Sequence, residues 1–531
     1  MKSAPPAIWL LNKFNLLPPP FSLARLTHFR WLVFILTFIT YTSFHASRKP
    51  ISVVKNVLNR NCSGLSPPPT VNTSGNPHWC DWSPFDGENS NALLGVLDSS
   101  YLFSYAVFMY FSGMLAERMD LRYFLTLTML GSGVFTWAFG VAYFWQIHSL
   151  SYFIIIQVVC GVFQAGGWPG VVAVMAYWQD NSKRGLIFGL WNSHTSLGNI
   201  LGTLIASAFV TYNWGLSFII PGLLIGVVGF VNFILLTPYP ADVDCPSPID
   251  LSSRDEHQDL EDSSPATSVD DACNFAATDE SRVFLYNSTS PGDESINQSR
   301  EACEDGGGAA GAVRRSEADR DRAVPFLQAL LIPGVLPFSF SLFFAKLVSY
   351  TFLYWLPRYL HSAAGYSASE SANLSTLFDL GGIVGGILAG ILSDCTCAPA
   401  IVCFILLLFA IPTMYVMPLA ATVSHLLNSI MLFSVGVLVN GPYALITTAV
   451  SADLGSSHVS SKAMATVTAI IDGTGSVGAA LGPLLAGAVS SGNHWDRVFY
   501  MLMVSNLLAM MCLTSVMRQE WAALRSRRVR Q

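Results

Sequence analysis

Apolar runs of about 18 residues or more recur along the whole chain, and each is long enough to cross a bilayer as a helix of roughly 20 residues. They predict helices near 28–47, 92–116, 121–145, 150–178, 185–211, 214–237, 328–356, 371–393, 398–419, 425–451, 462–489 and 495–517. Two polar stretches interrupt the series. The first, 50–91, carries the sequons at Asn61 and Asn72 and the pair Cys62 and Cys80. Sequons and paired cysteines in one loop suggest glycosylation and a disulfide on a lumenal or extracellular face; chance sequons and free thiols are the alternative. The second, 240–325, is rich in Asp, Glu, Ser and Gly and poor in aromatics, the composition of a disordered acidic linker.

The pattern predicts an all-α membrane protein with two pseudo-symmetric halves of six helices, 28–239 and 326–517, flanked by an N-terminal segment 1–27 and a basic tail 518–531. The halves echo each other. Gly113 to Arg122 between helices two and three answers Gly390 to Asp394 between eight and nine, and Gly198-Asn-Ile-Leu-Gly202 answers Gly478-Ala-Ala-Leu-Gly482. Lys2, Lys13, Arg25, Lys183, Arg184 and the arginines from Arg518 onward gather on one side, which places both termini in the cytosol. No cleavable leader is read in residues 1–24, so the first helix is expected to act as an uncleaved anchor.

Composition narrows the chemistry. Hydrophobic residues make up 52% of the chain and charged residues 12%, about half the charged share of a soluble domain. The ten cysteines show no metal-ligand spacing, so no metal site is expected. There is no GxxxxGK[ST] phosphate loop for ATP and no nucleophile with its base on a soluble domain. No cofactor and no nucleic-acid partner are indicated. A secondary transporter, driven by a gradient or by exchange, fits better than an enzyme.

Ionisable residues inside membrane helices cost roughly 2.5 to 3.5 kcal/mol each on insertion scales and are functional candidates by default. Arg48 and Lys49 end helix one before Pro50; a snorkelling interfacial pair is the plain alternative. Lys346 lies deep in helix seven, where it either joins Arg48 in a two-cation clamp for a dianion or forms a structural pair with Asp379. His194 in helix five can hydrogen-bond phosphate or be a satisfied core histidine. Asp98, Asp379 and Asp472 are either proton carriers or partners that hold the cations between substrate loads. Tyr101, Tyr105, Trp168, Trp191, Tyr350, Tyr354 and Trp355 can stack on a sugar ring, but packing and interfacial roles are commoner.

The Gly113, Glu117, Arg118, Arg122 stretch resembles the cytoplasmic loop motif of the major facilitator superfamily, with Asp394 in its second copy. There glycine permits close helix approach, and acid and arginine can pair across a gate. At Ser47-Arg-Lys-Pro-Ile-Ser, Gly167-Trp-Pro, Arg184-Gly-Leu-Ile-Phe-Gly-Leu-Trp-Asn-Ser-His-Thr-Ser, Lys346-Leu-Val-Ser-Tyr-Thr-Phe-Leu and Ala469-Ile-Ile-Asp-Gly-Thr-Gly-Ser-Val-Gly the chain closely resembles the sugar phosphate exchangers, organophosphate:phosphate antiporters of that superfamily. Within them it looks like the type one and type two branch of glucose-6-phosphate exchangers. The resemblance implies exchange of glucose-6-phosphate for inorganic phosphate across the endoplasmic reticulum membrane. It implies Arg48 as the phosphate-binding arginine with Lys49 beside it. It also sets Ser349, next to Tyr350, where bacterial relatives have a second arginine, and Thr195 where they have a helix-five histidine. A proton-coupled or facilitative carrier of another organic anion is the other reading, and a scaffold acting through the acidic linker a third. Oligomeric state is not legible.

Overall fold

A computed structural model describes residues 5–59, 80–87, 89–178, 184–245, 326–456, 463–490 and 494–530. These residues are helical with no β-strand among them. Eleven helical segments are long and apolar enough to cross a membrane, and Arg184–Phe209 is a further helix of 26 residues in the position of the fifth crossing. The sequons Asn61 and Asn72 and Cys62 lie outside the described residues; Cys80 is engaged in a disulfide.

The first crossing departs from the expected 28–47. Leu23–Arg48 is continued by Pro50–Leu58, so the span covers 36 residues, Leu23–Leu58. Pro50 occupies the first helical position of the continuation, where its missing N–H and fixed φ are tolerated. Every residue from Pro50 to Leu58 is buried, so these residues, expected in the polar loop, belong to the packed interior. Arg48 and Lys49 therefore sit inside the crossing and not at its end.

Two further helices differ from expectation. The fourth crossing is two helices, Leu150–Gln164 and Gly167–Trp178, joined at Ala165-Gly166. A Cβ on Gly166 would stand 2.5 Å from Thr128, and one on Gly167 would stand 2.9 Å from Phe44, so glycine lets the break press against helices one and three. The twelfth crossing, Trp495–Arg530, stays helical past 517 into the basic tail.

Glycine also builds the pseudo-symmetry. A Cβ on Gly198 or Gly202 of the fifth crossing would meet the carbonyl oxygens of Thr42 and Ala46 in the first. A Cβ on Gly478 or Gly482 of the eleventh crossing (Ala463–Val489) would meet those of Phe343 and Leu347 in the seventh (Val335–Ser362). Each half thus seats a small-xxx-small face directly on the backbone of its own first helix. The same spacing carries Arg48 onto Ser349, Lys49 onto Tyr350 and His45 onto Lys346.

The halves meet along two seams. The second crossing (Ser90–Arg118) lies on the eleventh, where Gly95 approaches Gly487 and Ser99 Oγ donates to the Ala480 carbonyl at 3.1 Å. The fifth lies on the eighth (Ala368–Thr396), where Ser207 and Ser369 hydroxyls are 2.8 Å apart. Trp31, Ile35, Leu127, Val134, Val227, Phe409 and Val504 point outward, an apolar surface of the kind hydrocarbon covers.

Candidate functional site

Arg48 is 5% exposed at the joint of the first crossing. Its Nη2 donates to Gln164 Oε1 at 3.1 Å, and its guanidinium lies 5.3 Å from the ring centre of Tyr105 and 5.9 Å from that of Tyr41. Gln164 is oriented for this, since its Nε2 donates to Ser47 Oγ at 2.8 Å and Ser132 Oγ at 2.7 Å. Arg48 Nε is buried without a partner, and among the described residues no carboxylate lies within 4.0 Å of the guanidinium. A planar cation held by one neutral amide between aromatic rings is an arrangement that an anion would complete.

The other deep cations are matched. Lys49 Nζ donates to the Leu353 carbonyl at 2.9 Å and stands 3.8 Å from Asp379 Oδ2, which ties the first crossing to the seventh and eighth. Asp379 also accepts from Asn199 Nδ2 at 2.9 Å, and Asn199 Oδ1 lies 3.1 Å from His45 Nδ1. Lys346 Nζ donates to Asp472 Oδ1 at 2.7 Å and to Ser476 Oγ at 3.3 Å, with the Tyr443 ring centre 5.7 Å away. The Lys346–Asp379 pair, the alternative to a clamp, is not formed: Asp472 on the eleventh crossing takes Lys346, and Asp379 faces Lys49 across the halves. A fourth cation, Lys55, lies past Pro50 and so beyond the helix that the apolar pattern predicts. It pairs with Asp98, sits 4.3 Å from the Trp355 ring centre and donates to the Tyr354 carbonyl at 3.3 Å, with both charged side chains fully buried.

Beside these pairs a cleft opens between the fifth, seventh, eighth and tenth (His425–Leu445) crossings. Asn192, Thr195, Ser196 and Asn199 line it from the first half, and Ser349, Tyr350, Asp379 and Asn440 from the second, with His45 at one end. The free space open to the centre of a water is about 20 Å³, room for one or two waters, so a sugar phosphate requires the halves to part. Of the residues singled out in sequence, Thr195, Ser349, Tyr350 and Asp379 meet here. Ser349 Oγ donates to Asn440 Oδ1 at 2.6 Å. His194 faces the other way, into a ring cluster of Phe38, Tyr41, Trp168 and Trp191, with Nδ1 3.2 Å from Thr195 Oγ1 and Nε2 buried without a partner. Arg48 adjoins the cleft through His45, one turn earlier on the same helix.

On the side away from the termini the halves are latched shut. Arg358, also unremarked in sequence, donates to the Asn59 carbonyl at 2.8 Å, to Asn59 Oδ1 at 2.7 Å and to Asn91 Oδ1 at 3.1 Å, joining the seventh crossing to the first and second. Asn56 Nδ2 adds a bond to the Pro357 carbonyl at 3.4 Å.

The loop motif on the side of the termini is looser. Among the described residues, a Cβ on Gly113 would meet nothing within 4 Å. Asp120 caps the third crossing (Leu121–Phe144) by accepting from Arg122 N. Arg122 Nη2 donates to Tyr123 Oη at 3.2 Å, and its guanidinium lies 4.8 Å from that ring's centre. Arg118 and Asp394 are exposed, and the Glu117 side chain lies outside the description.

Residues 33–471 match the family model described as Major Facilitator Superfamily. The chain is 45% identical to the glucose-6-phosphate exchanger SLC37A2 of Mus musculus over 98% of its own length and 96% of that protein's. It is 44% identical to SLC37A2 of Homo sapiens over 98% and 96%, and 45% identical to the glucose-6-phosphate exchanger SLC37A1 of Mus musculus over 94% of each. Among solved structures it resembles a bacterial homolog of the human lysosomal transporter Spinster in an inward-facing, unoccupied conformation, with TM-score 0.53, 16% identity and coverage of 94% and 97%. That likeness concerns the fold.

Proposed function

Since the chain belongs to the major facilitator superfamily, and within it to the family of the glucose-6-phosphate exchangers that it matches along nearly its whole length, we propose that it exchanges glucose-6-phosphate for inorganic phosphate by alternating access in the endoplasmic reticulum membrane, with both termini in the cytosol. The observation that carries this reading is Arg48, a desolvated guanidinium near mid-crossing that has an amide and aromatic rings around it but no carboxylate among the described residues. Phosphate or a phosphoryl group supplies the missing charge through short charge-assisted hydrogen bonds. The reticulum and the topology rest on the family resemblance and on the basic residues gathered at the termini.

The expected clamp changes in one respect. Ser349 stands at the position that pseudo-symmetry sets opposite Arg48, and Lys346, on the position equivalent to His45, already holds Asp472. One cation, Arg48, anchors the phosphoryl group, and Lys49 acts between the halves. When the carrier opens away from the termini, Lys49 must leave the Leu353 carbonyl and Asp379. A phosphoryl dianion beside Arg48 compensates the cations through that step, whereas an unloaded site would expose two desolvated charges. The coupling of opening to occupancy then favours exchange over leak. Asp98, Asp379 and Asp472 each have a lysine near, which speaks against a free carboxylate shuttling protons.

The test is uptake of labelled glucose-6-phosphate into proteoliposomes preloaded with phosphate or left without it. Uptake should require internal phosphate and fall about 100-fold in Arg48→Ala, the equivalent of losing one or two charged hydrogen bonds of roughly 1.5 to 3 kcal/mol each. Uptake indifferent to internal phosphate but driven by a pH gradient would replace this reading with proton coupling.

A further inference from the structure

The cleft holds one place where both halves offer hydrogen-bonding groups to the same small space. A Cβ built on Gly382 of the eighth crossing would lie 2.8 Å from Asn440 Nδ2 and 2.9 Å from Ser196 Oγ. Asn440 belongs to the second half and Ser196 to the first; with no side chain at Gly382 the two groups close over its Cα from opposite walls, leaving no room for a Cβ, and the corner of the cleft in front of them is a notch that the two walls share. Asn440 is fixed in one sense only: its Oδ1 accepts from Ser349 Oγ at 2.6 Å, which turns Nδ2 toward the notch. No hydrogen bond of Asn440 Nδ2 or Ser196 Oγ to another described residue is formed, and neither atom is sealed from the free space. Both residues line the cleft, with Asn192 and Thr195 one turn or less from Ser196.

We propose that this notch is the hydroxyl-recognition subsite of the carrier: an uncharged polar group of the transported sugar phosphate enters over Gly382, accepts from Asn440 Nδ2 and exchanges a hydrogen bond with Ser196 Oγ. The inference rests on the exchange reading and adds to it the residues that discriminate a sugar ester from bare phosphate. The chemistry of the wall selects the class. The notch presents a neutral amide N–H and a hydroxyl, which suit sugar hydroxyls, while the phosphoryl group is drawn to Arg48. A ligand oxygen placed between Asn440 and Ser196 also joins the two halves, so the sugar contributes to closure separately from the phosphate. Inorganic phosphate has no atoms to reach the notch while bound at Arg48 and crosses without that contribution.

The experiment compares the KM for glucose-6-phosphate with the KM for inorganic phosphate in phosphate-loaded proteoliposomes, for wild type, Asn440→Ala, Ser196→Ala and Gly382→Ala. Each variant should raise the KM for the sugar ester about three- to tenfold more than that for phosphate, the effect of one neutral hydrogen bond lost or, in Gly382→Ala, of the new Cβ pushing Asn440 Nδ2 and Ser196 Oγ out of place. Deoxyglucose-6-phosphates supply the second arm. The one analogue that lacks the recognised hydroxyl should already show the raised KM with wild type and should lose little more with Asn440→Ala. Equal KM changes for both substrates, no change in any variant, or additive losses for every deoxy analogue would overturn the notch while leaving exchange standing. Absence of phosphate-dependent uptake in wild type would instead remove the exchange reading itself.

Discussion

The buried Lys55–Asp98 pair permits a prediction that separates structure from proton coupling. Asp98→Asn leaves the Lys55 ammonium at 0% exposure without a counter-charge, with neutral partners alone: the amide oxygen of the new side chain, the Tyr354 carbonyl at 3.3 Å and the Trp355 ring centre at 4.3 Å. Breaking a buried pair costs about 3–5 kcal/mol, because the abandoned charge has no solvent. The ring offsets roughly 1–2 kcal/mol of that, as cation–π contacts do when desolvated, so a loss near 3 kcal/mol is expected, about two orders of magnitude in the folded-to-unfolded ratio. Lys55→Met leaves the Asp98 carboxylate stranded with the Trp355 indole beside it, and it should cost about as much. The double variant Lys55→Met with Asp98→Leu removes both charges and fills similar volume, so it should recover most of the stability. Thermal unfolding of the detergent-solubilised carrier, followed by tryptophan fluorescence, reads the cycle: each single variant several degrees below wild type, the double close to it. Phosphate-driven glucose-6-phosphate uptake by the double variant should persist, which a proton carrier at Asp98 forbids. Additive destabilisation in the double variant would refute the pairing argument, and a stable double variant devoid of transport would return Asp98 to the substrate or proton pathway.

Three further outcomes follow from the same geometry. Arg358→Gln removes charge-assisted bonds to Asn59 and Asn91 of about 1.5–3 kcal/mol each, net of what the amide can replace; a cysteine placed at Asn56, now 1% exposed, should react several-fold faster with an impermeant thiol reagent added from the side away from the termini, and an unchanged rate would deny the latch. Gly478→Val and Gly436→Ala drive a Cβ into the carbonyl oxygens of Phe343 and Phe378 and should reduce the yield of folded carrier, whereas Gly226→Ala, whose Cβ would have no described residue within 4 Å, should be neutral or mildly stabilising in the same thermal assay. Gln164→Leu removes the amide that orients Arg48 and should raise the KM for phosphate and sugar ester alike, with a smaller loss than Arg48→Ala because the cation remains.

The halves, the order of the crossings and the presence of Arg48 in the first crossing were legible because each leaves a local signal: a repeated small-xxx-small face, an apolar run, a cation where none is expected. Pairing was less legible, since Lys346 has two acids within plausible reach and helical periodicity alone does not choose between them. The repeat does choose. Gly198 and Gly202 seat the fifth crossing on the first beside His45, and Gly478 and Gly482 seat the eleventh on the seventh in the same register. Carrying His45 onto Lys346 through that register turns Lys346 toward the eleventh crossing, where Asp472 waits, and leaves Asp379 for Lys49. Lys55 was hidden by a single inference, that Pro50 ends a helix; a proline at a first helical position continues one instead. Lys55 then falls seven residues after Arg48, two turns along the same face. A lysine there and an unpartnered Asp98 in the next crossing are each costly alone and inexpensive together. The rule that reads best in this chain is therefore relational: an intramembrane charge is assigned by finding the opposite charge that the helix register can bring to it, and Arg48, for which no such charge lies near among the described residues, is the one proposed to take a ligand.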